Sequence, residues 1–218
     1  MDFERLFDFL ETLNANNSKE WMDENRKEYE SVKADYVKWL EDLDLKLSKI
    51  DEKYYSSSGK KAINRINNNL LYHPNKPTYK DHFGAGLDKR PKTGDFYIHL
   101  GIEEVFVAGG FYKPKPELLK SIREAIDYNG DEFKAIITSE TFQEHFGGLM
   151  KDDDKLKTSP KGFSQDHKHI DLLRLKSFAA MKPFDRKDVL SSDFKDKVIE
   201  TYTAMLPFRR YLNKAVTV

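Results

Sequence analysis

Apolar residues in the first fifth of the chain recur at three- and four-residue spacing. Phe3, Leu6, Phe7, Leu10 and Leu13 form one stripe, and Asp2 stands where it can cap the first turn, which predicts an amphipathic helix. A second stripe follows the break at Asn14 to Asn17. With Ser18 as its N-cap and Glu20 in its first turn, it runs through Trp21, Tyr29, Val32, Tyr36, Trp39, Leu43 and Leu47 to Ile50. That spacing predicts one continuous helix of about thirty residues, some 45 Å long. After the SSSG at 56–59 the pattern shifts to short β-branched and aromatic runs with frequent turn signals. Strands are expected at Ala62 to Tyr72, His82 to Leu87, Asp95 to Ile102 and Val105 to Tyr112. The last two make a hairpin turning at Glu103 and Glu104, with Gly109 and Gly110 as a bulge or a place of close backbone approach.

Helical periodicity returns at Pro116, which suits a first turn, and runs to Asn129 and Gly130. Shorter helical pieces are expected at Glu132 to Ile137, Glu140 to Phe146 and Ile170 to Leu173, and a strand at Ser177 to Met181. Ser192 should cap a final helix reaching Ala215, kinked or divided at Pro207. Helices, then antiparallel strands, then helices read as an α+β fold. Its sheet comes from the middle of the chain and packs against the long N-terminal helix and the C-terminal helices. No linker-like stretch interrupts residues 1–218, so the expectation is a single domain.

Composition narrows the chemistry. There is no cysteine, which excludes zinc-thiolate sites, iron–sulfur clusters and thiol catalysis, and a domain this size needs no disulfide to hold it. The N-terminal residues mix acidic with apolar side chains and lack a basic leader region, and no apolar run reaches membrane-spanning length. The expectation is therefore a cytoplasmic protein with no membrane partner. Basic and acidic side chains balance at 37 each, but they are segregated. Residues 60–94 carry eight basic side chains against Asp81 and Asp88 alone, whereas residues 1–59 carry an excess of six acidic ones. A basic segment in a neutral chain points to an anionic partner.

Within that segment Arg65, Lys76 and Lys80, with Tyr79 between the two lysines, suit a phosphate or carboxylate. Arginine forks onto oxyanions and lysine adds a point charge. Gly109 and Gly110 complete the candidate ligand-binding set if the sheet approaches there. A nucleic-acid partner would need a continuous basic stripe, which the balanced charge argues against. The six histidines show no metal spacing: His73, His82, His99 and His145 are isolated, and the close pair His167 and His169 reads as loop and cap. Asp152, Asp153 and Asp154 lack the glycine and glutamate of a calcium loop. Ser159 and Ser164 near Asp166 and His167 lack a nucleophile elbow. No metal and no cofactor are expected, and no motif names a reaction. Whether the chain is an enzyme is thus left open at this level, with a non-enzymatic interaction module as the alternative to anion binding.

Four segments in order resemble one family. FDFLETLNANNSKEWMDENRKEYE, KPTYK with DHFGAG, FVAGGFYKPKPELLKSIREAI, and SPKGFSQDH followed by LLRLKSF look like blocks of the domain of unknown function 2461. The resemblance covers most of the chain and implies the same α+β architecture. Its members typically carry a charged constellation ahead of the tyrosine and lysine matched by Tyr79 and Lys80. Arg65 and Lys76 match it. Asn68, Asn69, Leu71 and Asn75 stand where arginine, aspartate, arginine and aspartate are usual, and Pro77 and Thr78 are exchanged in order. An activity needing those charges is expected to be altered here.

Overall fold

A computed structural model describes residues 1–151 and 153–216. The chain is α+β, with four strands in one antiparallel sheet, ordered β1-β2-β3-β4 along the chain. It divides into two compact units. The first holds Met1–Asp88, Tyr97–Val107 and Pro183–Ile199; the second holds Lys89–Phe96, Ala108–Lys182 and the chain from Glu200 onward.

In the first unit α1 spans Phe3–Ala15, and the Asp2 carboxylate accepts from Arg5 N–H at its start, as the cap signal requires. Ser18 caps the next helix, but the long stripe is broken: α2 is Lys19–Glu24 and α3 is Arg26–Ile50. Asn25 makes the break. Its side-chain amide and its backbone N–H both donate to the Trp21 carbonyl, ending one helix where the next begins. The α1 and α3 stripes meet in an aromatic core, where Phe3 packs edge-on to Trp39 and Phe194, and Phe9 and Tyr29 lie against Phe83.

A strand over Ala62 to Tyr72 does not form. Gly59–Ala62 is a helical turn, α4, set so close to α3 that a Cβ on Gly59 would stand 2.5 Å from the Val37 carbonyl. Beyond it, only Ile63 opposite Ala85 and Asn67 opposite Tyr79 make antiparallel bridges. The first ties the segment to β1, His82–Leu87, and the second to the stretch just before it. Strands β2, Phe96–Gly101, and β3, Val105–Phe111, form the expected hairpin, closed by Gly101 N–H donating to the Glu104 carbonyl.

In the second unit α5 runs Pro116–Ile137, with non-helical backbone at Asn129 where two expected helices join. Helix α6, Glu140–Phe146, ends on left-handed Gly147, and α7, Ile170–Leu173, leads to β4, Phe178–Phe184. A short helix unforeseen in the sequence, α8 (Arg186–Leu190), lies in the first unit and starts on a reciprocal capping box between Asp185 and Asp188. The last helix, α9, is Phe194–Ala215 and continues through Pro207. Phe133 packs against Phe178, Phe208 and Tyr211 in the second unit's core. There the buried Arg209 donates to the Gly94 carbonyl and lies over the Tyr202 ring.

Candidate functional site

Side chains alternate across a strand, so with Phe83 turned toward the aromatic core, His82 and Gly84 face the other way. On the neighbouring strand Phe96, Ile98 and Leu100 are buried, and Tyr97 and His99 occupy the alternate positions. Because β2 lies between β1 and β3, three rings from three strands come into register. The His99 ring sits between His82, at 4.1 Å centroid to centroid, and Phe106, at 4.6 Å and nearly parallel. Glycines make the room. A Cβ on Gly84 would stand 2.4 Å from Tyr97 Oη, and one on Gly101 2.8 Å from His99 Nε2.

The two histidines differ in character. His82 Nδ1 lies 2.8 Å from Asp81 Oδ1. An ionised carboxylate only accepts, so Nδ1 carries the proton and Nε2 holds the lone pair in the neutral ring. Burial alone would raise the Asp81 carboxyl. The hydrogen bond from His82, a bond from its own backbone and the nearby imidazoles outweigh this and hold it below the usual carboxylate range. His99 is only 9% exposed. Burial first, and the charge of His82 second, push it down to about 4, so its ring is neutral near pH 7. Its Nδ1 is 3.3 Å from Tyr97 Oη, and its Nε2 is 4.0 Å from Glu104 Oε1, beyond hydrogen-bonding reach.

Immediately before Asp81 comes the basic segment. Lys80 is half-buried, with its backbone N–H on the Ile66 carbonyl and its ammonium donating to the Arg65 carbonyl at 2.5 Å. Burial, then the charges of Arg65 and Lys76, lower its pKa. The bond to the Arg65 carbonyl makes Arg65 and Lys80 neighbours, and the charge of Lys76 is felt at Lys80. Among the described residues no carboxylate forms an ion pair with any of them. Tyr79 has another part. It is buried, and its backbone N–H and carbonyl are both bonded by the Asn17 side chain, so it anchors the segment to the helical layer.

The loop between the two bridged stretches replaces the charges usual in the resembled family with amides and apolar groups. Asn68 braces it, its backbone N–H on the Thr78 carbonyl and its side chain on the Pro77 carbonyl. The Asn69 carbonyl accepts from Tyr72 and His73. Leu71 and Tyr72 stand 84% and 74% exposed beside it.

Gly109 and Gly110 belong to the second unit, where local packing accounts for their size. A Cβ on Gly109 would meet Met205 Sδ at 2.3 Å. Gly110, at φ +103°, lies against the Phe178 carbonyl and the Phe208 ring. His167 and His169 also lie in that unit and face acids of α5: His167 Nε2 is 3.0 Å from Asp127, and His169 Nε2 is 3.5 Å from Asp131. Asp152 of the aspartate run lies outside the described residues, and Asp154 pairs with Lys113 at 2.9 Å. Among the described residues no three His, Cys, Asp or Glu side chains gather in a way that would hold a metal ion, and no helix is long and apolar enough to cross a membrane.

Sequence reasoning missed Asp81, His82, Tyr97 and His99. One readable signal was the alternation in FYIHLG, which puts Tyr97 and His99 on one face of a strand whose other face is wholly apolar.

Fold and face together define an α+β protein whose antiparallel sheet displays a stacked histidine pair, preceded in the chain by a basic segment. A family model described as conserved hypothetical protein (DUF2461) matches residues 5–211. The chain belongs to that family, as its sequence blocks suggested. A search of curated proteins and one of solved structures give no match to it.

Proposed function

We propose that the chain binds a small phosphorylated or carboxylated molecule through Arg65, Lys76 and Lys80. The observation that carries this reading is the gathering of three positive side chains without a carboxylate partner, one of them half-buried and electrostatically coupled to the other two. Like charges held together cost free energy in the empty protein, and an anion placed among them returns it. A multiply charged phosphate suits three cations best.

The test is a thermal melt with inorganic phosphate. At a hundred times its dissociation constant the ligand should add about 2.7 kcal/mol, a rise of roughly 5–11 °C for a chain of this size. Lys76→Ala with Lys80→Met, which keeps most of the buried stem, should abolish the rise. An equal rise in the double variant would place the anion elsewhere. The alternative, a non-enzymatic interaction module, draws on one observation, the exposure of Leu71 and Tyr72 at the tip of this loop. A melt unmoved by phosphate and by organic acids would favour that alternative.

A further inference from the structure

We propose that His82 is the general base of a hydrolytic centre acting on phosphate esters. The inference rests on the anion-binding reading above, with the phosphoryl group held by Arg65, Lys76 and Lys80. Three features of the sheet face lead to it. Asp81 at 2.8 Å fixes the His82 ring and its tautomer, leaving the Nε2 lone pair for a proton; no bond to Nε2 occurs among the described residues. This is the base-and-orienter arrangement that activates a nucleophile. Behind His82 the ring of His99 is neutral, buried and stacked, so it offers an aromatic face to the imidazolium that forms when His82 takes a proton, while Asp81 balances that charge. Finally, the dyad begins where the cations end, since Lys80, Asp81 and His82 are consecutive.

The chemistry balances without a further reactant. A water oxygen bonds to phosphorus as the ester P–O bond breaks, and the electron pair leaves on the alcohol oxygen. The water proton passes to His82 Nε2 and on to solvent, and the alcohol oxygen, which leaves on the far side of phosphorus, takes its proton from solvent. Ester and water become phosphate and alcohol, and His82 returns neutral. The three cations stabilise negative charge on the phosphoryl oxygens. His82 is thus the catalytic residue, and Asp81 and His99 are positioning residues. The groups that face His82 are Asp81 beside it and His99 from β2, with Glu104 of the following turn near His99.

The full chain is assayed with p-nitrophenyl phosphate and bis(p-nitrophenyl) phosphate, whose good leaving group isolates the base. One arm reports monoester hydrolysis and the other diester hydrolysis. The expected result is turnover of at least one ester, with an acidic limb in the pH–rate profile. His82→Gln should lower the rate about 100-fold and remove that limb. Asp81→Asn, a change at a half-exposed carboxylate that the fold tolerates, should lower the rate about tenfold while leaving the melting point in place; it also serves if the His82 variant does not fold. Wild-type release of nitrophenol no faster than in His82→Gln overturns the proposal, as does an Asp81→Asn variant with unchanged rate and pH profile. The phosphate melt separates the two readings. A phosphate shift without hydrolysis removes the base and keeps the anion site; absence of both removes the anion site as well.

Discussion

Two pairs of histidines occupy this protein, and they are opposite in kind. His167 and His169 are neighbours along the chain, joined by His169 N–H donating to His167 Nδ1, and each reaches an acidic side chain of α5. His169 fills the space left by Gly130, where a Cβ would stand 2.4 Å from its ring, at the non-helical step of that helix. That pair is a clasp. His82 and His99 come from different strands and stack ring on ring; the Asp81 carboxylate holds His82 while His99 is stripped of water. In the first pair every imidazole is turned to a structural partner. In the second, one ring keeps a nitrogen that has no bond among the described residues, and the basic segment precedes it in the chain. Closeness in sequence thus marked the bracing pair, and closeness across a sheet marked the chemical one.

The largest expected effect comes from titrating the buried ring. His99 has a folded-state pKa of about 4 against an ordinary value of 6.5, so between those values the unfolded chain binds a proton that the folded chain does not. Its contribution to stability is complete above pH 6.5 and is lost as the pH falls toward 4, by at most about 3 kcal/mol. Urea unfolding at neutral and mildly acid pH should show this as a difference between wild type and His99→Phe, which keeps the stack and removes the titration. Equal acid sensitivity of the two proteins would assign the loss to other groups.

A smaller effect tests the clasp. The Asp127 carboxylate facing His167 is largely exposed, so Asp127→Asn should cost less than about 1 kcal/mol. A melt lowered by many degrees would show that the clasp holds the kinked helix together.

Much of this architecture was readable residue by residue. The three- and four-residue spacing with Asp2 and Ser18 as caps located α1 and the start of α2, and alternation with turn residues located β1, β2 and β3. The breaks were harder. Asn25 interrupts the stripe through a hydrogen bond to Trp21, while the apolar periodicity on either side continues in phase and hides it. The segment after Gly59 carries strand-forming residues, yet it starts as a helical turn pressed against α3 and then makes only isolated bridges. Helix α8 did carry a signal, acids three apart at Asp185 and Asp188, in a stretch too short for periodicity to register. Of the candidate site, the basic residues could be named from local charge. The histidine stack could not, because bringing His82 beside His99, seventeen residues on, depends on how two strands align in register.

Imidazole nitrogen NMR during a phosphate titration reads both histidine pairs in one sample. His82 should be protonated on Nδ1 and bare on Nε2, inorganic phosphate should shift the His82 and His99 ring signals in a saturable way, and His167 and His169 should stay where they are. A His82 ring protonated on Nε2, or a phosphate response confined to His167 and His169, would contradict the proposed site.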